Sequence, residues 1–303
     1  MGDFSCDDLV RLLALERIER NMFRAQHGPG THVFGGQVMA QAMAAAAHTT
    51  EDRWLHSIHA YFLRAGDSTR PILFEVDRIR DGRSFCTRRV VGIQAGRAIF
   101  SLSASFQSRE NGFTHQDAVP EVTPPEQLPE DLDHYRRLAE ADPRFERFLF
   151  RFDIIDSRQV EGIQMFPRDG REPLPPRKHT WMRLKERVAD GPVAIAGKDL
   201  DDDHVHAALL AYLSDMDFLA VAFLPHGPAL ADVDIQAASL DHTMWFHRPM
   251  RVDEWLLFAK ESVSASGARG MVRGNFFDRR GRLVASTIQE CLMRPRPKNK
   301  TSA

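Results

Sequence analysis

The sequence predicts an α+β protein in which one structural plan is used twice. Two stretches, Gln37–His48 and roughly Val205–Leu219, are mostly apolar, and a helix apolar all round is one buried on all sides. Each is followed by four strand-like segments in succession. Short turns rather than helices join those segments, which argues for antiparallel pairing and against a parallel α/β sheet.

The elements follow in order. Cys6–Leu15 reads as a short helix and Glu16–Arg24 as a first strand. GPGTHVFGG (28–36) is a turn-rich entry into the first long helix, whose QVMAQAMAAAAH run is rich in strong helix formers. Strands are expected at Trp54–Arg64, Ile72–Arg80, Phe85–Gln94 and Ala98–Ser108, with Asp81-Gly82 and Ala95-Gly96 as turns. Asn111–Glu130, with Pro120, Pro124, Pro125, Pro129 and many acids, reads as a linker, and Asp131–Phe150 as an amphipathic helix. A strand at Phe152–Val160, a Pro-rich loop at Pro167–Pro176 and a strand at Thr180–Glu186 precede the second long helix. Ile235–His247, Trp255–Val263, Arg269–Phe277 and Leu283–Met293 complete the set of strands.

The spacing of polar residues suggests the same repeat. Ser57 and Gln107 lie fifty positions apart, as do Ser239 and Gln289. Long antiparallel strands wrapped around a helix make the hot-dog architecture, so the expectation is a double hot-dog fold. Its parts are an N-terminal repeat at 1–112, a linker with a helix at 113–150, a C-terminal repeat at 151–296 and a tail at 297–303.

Composition excludes several function classes. Lys plus Arg total 40 and Asp plus Glu 42, a net charge of −2, where general nucleic-acid binding wants a basic surface. Cys6, Cys86 and Cys291 are too few and too scattered for a disulfide framework or a metal cluster, and scarce cysteine points to a reducing, cytoplasmic setting. The start MGDFSCDDLV has no basic-then-apolar signal pattern, and the end KNKTSA is not Ser-Lys-Leu. Ala207–Leu224 has the length of a membrane span but carries Asp215 and Asp217. Each mid-membrane Asp costs about 2.5–3.5 kcal/mol, so a helix buried within the protein is expected and no membrane partner.

Three polar residues stand in otherwise apolar segments: Asp215, Ser239 and Gln289. Buried polar groups are costly unless satisfied. Asp215 offers a general base, its ordinary value of about 3.9 being raised by burial; its other reading is a helix C-cap. Asp217 is a rival base aimed at another face. Ser239 lies on an alternating strand. No GxSxG elbow supports it as a nucleophile, which leaves it to hold a water or simply to sit on the strand. The Gln289 carboxamide donates and accepts at once, suiting a water, a carbonyl or a cross-strand bond. His56 and His59 form an HxxH, but odd spacing on a strand sends them to opposite faces. Asp201, Asp202, Asp203, His204 and His206 read as an acidic helix start rather than a metal site. No metal and no cofactor are expected. Arg248, Arg251, Arg269 and Arg273 suit phosphate oxygens or ordinary surface positions.

The motifs SDMDFL at Ser214, ASLDHTMWFHRP at Ala238 and VASTIQE at Val284 resemble the acyl-CoA thioesterase II family, the TesB-like thioesterases. HVFGGQ at His32, HSIHAYFLRAGD at His56 and SASGARGMVRG at Ser264 extend the resemblance over nearly the whole chain. It implies hydrolysis of fatty acyl-CoA by a water that Asp215, Ser239 and Gln289 activate together. By analogy, a backbone N–H near Gly35-Gly36, or its second-half counterpart, serves the oxyanion. It also implies an acyl-CoA substrate and a homo-oligomer. The alternatives are a hot-dog hydratase, for which AGDSTRP at Ala65 lacks the required Asn and His, and a non-catalytic acyl-CoA binder.

Overall fold

The computed structural model describes residues 4–28, 33–141, 146–163, 172–188, 193–195, 198–227, 229 and 233–297. Helix α1 (Cys6–Arg11) opens on a capping box, Ser5 and Asp8 each accepting from the other's backbone N–H. The expected first strand folds back as a hairpin of β1 (Glu16–Glu19) and β2 (Met22–Ala25). Helix α2 (Gly35–His48) is followed by β3 (Trp54–Phe62), β4 (Ile72–Asp81), β5 (Phe85–Gln94) and β6 (Arg97–Gln107). Among the described residues the Pro-rich linker holds only a 3-10 turn at Pro125–Gln127.

Helices α3 (Asp131–Ala141) and α4 (Glu146–Ile154) stand where one amphipathic helix was expected, and α4 runs to the residue before β7 (Ile155–Gln159). The strand expected from Phe152 therefore starts three residues late. Half of the Pro167–Pro176 loop, 167–171, lies outside the described residues. Strand β8 (Arg177–Leu184) and a small hairpin of β9 (Val193–Ile195) and β10 (Lys198–Leu200) lead to α5 (Asp202–Ser214). The helix expected to reach Leu219 stops at Ser214, and a turn leads into a 3-10 helix at Leu219–His226. Asp202–His226 has the length and apolarity of a membrane span, yet most of it is buried inside the protein. The last strands are β11 (Val233–Ser239), β12 (Asp241–Phe246), β13 (Leu256–Ser266), β14 (Arg269–Asp278) and β15 (Leu283–Pro297).

Twelve strands run in the order β1-β2-β4-β5-β6-β3-β12-β15-β14-β13-β8-β7, with β11 also on β15. The order is nearly palindromic about the β3–β12 pair, where His59 stands opposite Thr243 and Tyr61 opposite Asp241. One continuous antiparallel sheet thus joins the halves. Alternate residues face inward along most of the long strands, and α2 and α5 pack against each other inside the curve. This is the double hot-dog fold that the sequence predicts.

The pairing register corrects the fifty-residue parallel. Tyr61 pairs with Ser101 as Trp245 pairs with Ser286. Three residues further, Ile58 pairs with Ala104, so Ile58 and Ala104 stand where His242 and Gln289 stand in the second half. Gln107 lies past that point and donates to the Glu110 carboxylate instead. Bulges in both halves break the simple count, at Leu55/Ser57 in the first.

Candidate active site

Asp215 is the C-cap of α5. Its side chain is 6% exposed. The N-terminus of α2 meets it from the other half: the Gly36 N–H donates to Asp215 Oδ2 at 2.9 Å, and a helix N-terminus favours negative charge. The approach needs glycine. A Cβ on Gly35 would lie 2.8 Å from Asp215 Oδ2, and one on Gly36 2.6 Å from the Tyr212 carbonyl oxygen. The N–H proposed for an oxyanion is therefore engaged by the carboxylate.

Ser239 ends β11, and His242 lies on the inner face of β12 with Met244 and Phe246. Three residues apart on one regular strand, they would face opposite ways. Ser239 pairs with Cys291, but Thr243 pairs with Ile288. Four steps on one side therefore match three on the other, which is a β-bulge. Bulges re-aim side chains, and this one lets Ser239 and His242 both reach Gln289. Asp241 secures it by accepting the Glu290 N–H at 2.7 Å. The single strand expected over Ile235–His247 is broken here, at Leu240.

The bonds form a chain with one direction. His242 Nδ1 donates to Gln289 Oε1 at 2.9 Å. Gln289 Nε2 donates to Ser239 Oγ at 2.6 Å. The Ser239 hydroxyl donates to Asp215 Oδ1 at 3.4 Å. A carboxamide oxygen only accepts, so the His242 proton sits on Nδ1. Nε2 is left as an acceptor, with the Ser214 and Thr287 hydroxyls beside it at 3.0 and 2.9 Å. His242 is fully buried, and burial pushes it down to about 4, opposed by the Gln289 bond. It is neutral near pH 7, so its 4.0 Å approach to Asp215 Oδ1 is not an ion pair.

The structure thus brings Asp215, Ser239 and Gln289 together, and adds His242, Gly36, Ser214 and Thr287. His242 was visible in the sequence as the inward residue of the alternation DHTMWF; the bulge that aims it was not. Asp217 points away, to Lys178 and Lys260. His56 and His59 do not face opposite ways. The bulge at Leu55/Ser57 turns both outward, where His56 meets Ser105 Oγ at 2.8 Å and His59 meets Thr243 Oγ1 at 3.5 Å. Asp201 is the N-cap of α5, accepting from the His204 N–H, with Asp202 and Asp203 in the first turn. Arg251, Arg269 and Arg273 pair with carboxylates of Asp253, Glu290 and Glu261, and Arg248 donates to the Leu283 carbonyl.

The first half carries a different set at the matching places. Its helix C-cap is Thr49. Arg88 pairs with Ala104 as Val272 pairs with Gln289. Its buried guanidinium donates to Thr49 Oγ1, to the carbonyls of Thr49, Arg80 and Thr87, and to the Asp81 carboxylate.

Family models described as acyl-CoA thioesterase and acyl-CoA thioesterase N-terminal domain match residues 176–292 and 23–107. The chain is 35% identical to acyl-coenzyme A thioesterase 8 of Homo sapiens, over 98% of this chain and 92% of that protein. The chain belongs to the acyl-CoA thioesterase family. Acyl-CoA thioesterase 2 of Haemophilus influenzae is 36% identical over 95% of this chain and 97% of its own length. The crystal structure of an acyl-CoA thioesterase II, TesB2, from Mycobacterium marinum superposes with a TM-score of 0.76 at 38% identity, over 95% and 98% of the two chains. The two matched segments of this thioesterase chain follow its two halves, β2 to β6 and β8 into β15. Asp215, Ser239, His242 and Gln289 fall in the second segment and Gly36 in the first.

Proposed function

We propose that this thioesterase hydrolyses fatty acyl-CoA to free fatty acid and CoA, with Asp215 as general base and Ser239 and Gln289 holding the attacking water. Water adds to the thioester carbonyl and gives its proton to Asp215 Oδ1. The tetrahedral intermediate then breaks its C–S bond, and the proton returns from Asp215 to the CoA sulfur. Atoms and charge balance with no group beyond substrate and water. The observation that carries this reading is the one-way hydrogen-bond chain from His242 to Asp215. It fixes the Ser239 oxygen and leaves the base as its end point.

A second reading rests on the Ser239–Asp215 contact, since a hydroxyl donating to a carboxylate is also the start of a nucleophilic serine. The 3.4 Å separation and the lack of an elbow favour the water. Measuring free-thiol release over acyl-CoAs from short to long chain tests the activity; no release at any length would refute it. We further propose that the protein self-associates and works in a reducing, cytoplasmic setting without a nucleic-acid or membrane partner. Its three cysteines, free and buried, support the redox part of this.

A further inference from the structure

The turn after Asp215 is held by an unusual device. Lys178 on β8 and Lys260 on β13 are direct cross-strand partners, and both side chains are buried to within 1%. Like charges directly opposite one another destabilise a sheet, so this pair needs an anion. Asp217 supplies it. Its carboxylate pairs directly with Lys178 and stands 3.9 Å from the Lys260 nitrogen. To do so Asp217 takes a φ of +56°, the left-handed region that non-glycine residues seldom occupy.

Neither lysine has another carboxylate in contact among the described residues. Asp131, a buried acid whose charge acts on both lysines, is committed to the Ser157 hydroxyl and the Gln159 N–H. Lys260 Nζ, Gln159 Oε1 and Thr180 Oγ1 make no hydrogen bond. All three residues, with Asp217 and Met216, line one small cavity beneath the turn. Burial pushes the Lys260 ammonium down to about 8, opposed by the Asp217 carboxylate. The arrangement is therefore costly for folding, and a cheaper apolar packing of the same strands is easy to draw.

The next residue bolts the turn from its other side. The Phe218 ring packs between Phe258, at 5.2 Å, and His242, at 5.7 Å. Lys260 lies over the Phe258 ring at 4.9 Å. The lysines and the histidine thus grip consecutive residues of a turn that begins at Asp215.

We propose that Lys178 and Lys260 are positioning residues: through Asp217 they fix the turn that places the Asp215 carboxylate. The proposal rests on the reading of Asp215 as the base. A single carboxylate between two ammonium groups is confined to one direction, where one lysine would let it swing. Displacing a reacting group by an ångström costs on the order of 100-fold in rate, so a clamp of this kind acts on turnover.

The test uses Lys178→Met and Lys260→Met in the full chain, with Asp215→Asn beside them. Each lysine variant leaves one lysine on Asp217, so neither strands an unpaired carboxylate. Lys178→Met is expected to lower kcat by roughly 10- to 100-fold, with KM changed by less than about twofold. Lys260→Met, the more distant partner, is expected to lower kcat less. A shift in thermal midpoint alone, with kcat per folded molecule unchanged, would show a purely structural role and overturn the proposal. Should Lys178→Met not fold, Lys260→Met carries the same test by its kcat. If Asp215→Asn is inactive while both lysine variants keep full kcat, the clamp fails and the site stands; if Asp215→Asn stays active, the base assignment itself fails.

Discussion

The His242 Nδ1–H donates to Gln289 Oε1 across 2.9 Å, so the imidazole tautomer and the facing of the Gln289 carboxamide are set together. A reversed amide would present oxygen to Ser239 and leave two donors facing at His242. The neutral, fully buried imidazole therefore acts on the reacting end of the site at second hand.

His242→Asn keeps a donor near the Nδ1 position and loses the titrating ring. Burial holds the folded His242 at about 4, below its ordinary value of 6.5. The unfolded chain takes up a proton below about 6.5 that the folded chain refuses, so stability is complete above that pH and falls as pH drops towards about 4. Thermal unfolding measured from pH 7 to 4 should show a shallower acid loss in His242→Asn than in the parent. An identical slope would mean that His242 already titrates normally in the fold.

Asp215→Asn should reduce kcat by roughly 10²–10⁴-fold, the range for a general base, while acyl-CoA binding persists. Calorimetric binding beside steady-state kinetics separates the two. Near-normal turnover would remove Asp215 from the mechanism.

Ser239→Ala and Ser239→Thr divide the two readings of the hydroxyl. A water-holder predicts that Thr retains substantial activity and that no acyl group is found on the protein. Intact-mass spectrometry during turnover is the check, and an adduct mapped to Ser239 would establish the nucleophilic route.

Gly36→Ala should impair catalysis from the opposite half of the chain. Its Cβ would meet the Tyr212 carbonyl oxygen at 2.6 Å and the Phe34 ring at 2.7 Å, so α2 must retreat from Asp215. Overpacking of this sort costs about 1–3 kcal/mol of stability, and kcat should fall as well. Gly112→Ala, where nothing lies within 4 Å, is the matched control and should behave as the parent.

Asp217→Asn tests the counter-charge of the two buried lysines. It keeps a side chain that tolerates the left-handed backbone but strips both buried lysines of their counter-charge. A stability loss of about 3 kcal/mol is expected, the low end for a broken buried pair because Asp217 is itself part-exposed, read by denaturant unfolding. Unchanged stability would show that the lysines are neutral in the fold.

Periodicity carried most of the architecture into view: the apolar runs of α2 and α5 and the alternation of the long strands needed no tertiary information. The Asp215, Ser239 and Gln289 set was legible because each breaks an apolar pattern. What stayed hidden depends on single-residue irregularities. The bulge after Ser239 brings Ser239 to the side that His242 faces. The bulge at Leu55/Ser57 does the same to His56 and misaligns Ser57 and Gln107 with the second half. A count along the chain cannot see an extra residue in one strand, because only the partner strand defines it. The Lys178–Asp217–Lys260 contact was hidden for another reason, since lysine on a strand ordinarily faces water.

Arg88 has a consequence for stoichiometry. With Thr49 at the helix end, Ile58 and Ala104 on the strands and a buried guanidinium bonded to Thr49 and to the Asp81 carboxylate, the first half fills the matching place with an ion pair. A chain assembled from two copies of one plan is then expected to work as one reacting centre. A tight inhibitor should saturate at one equivalent per polypeptide, with the first half contributing to that centre through the Gly36 N–H of α2.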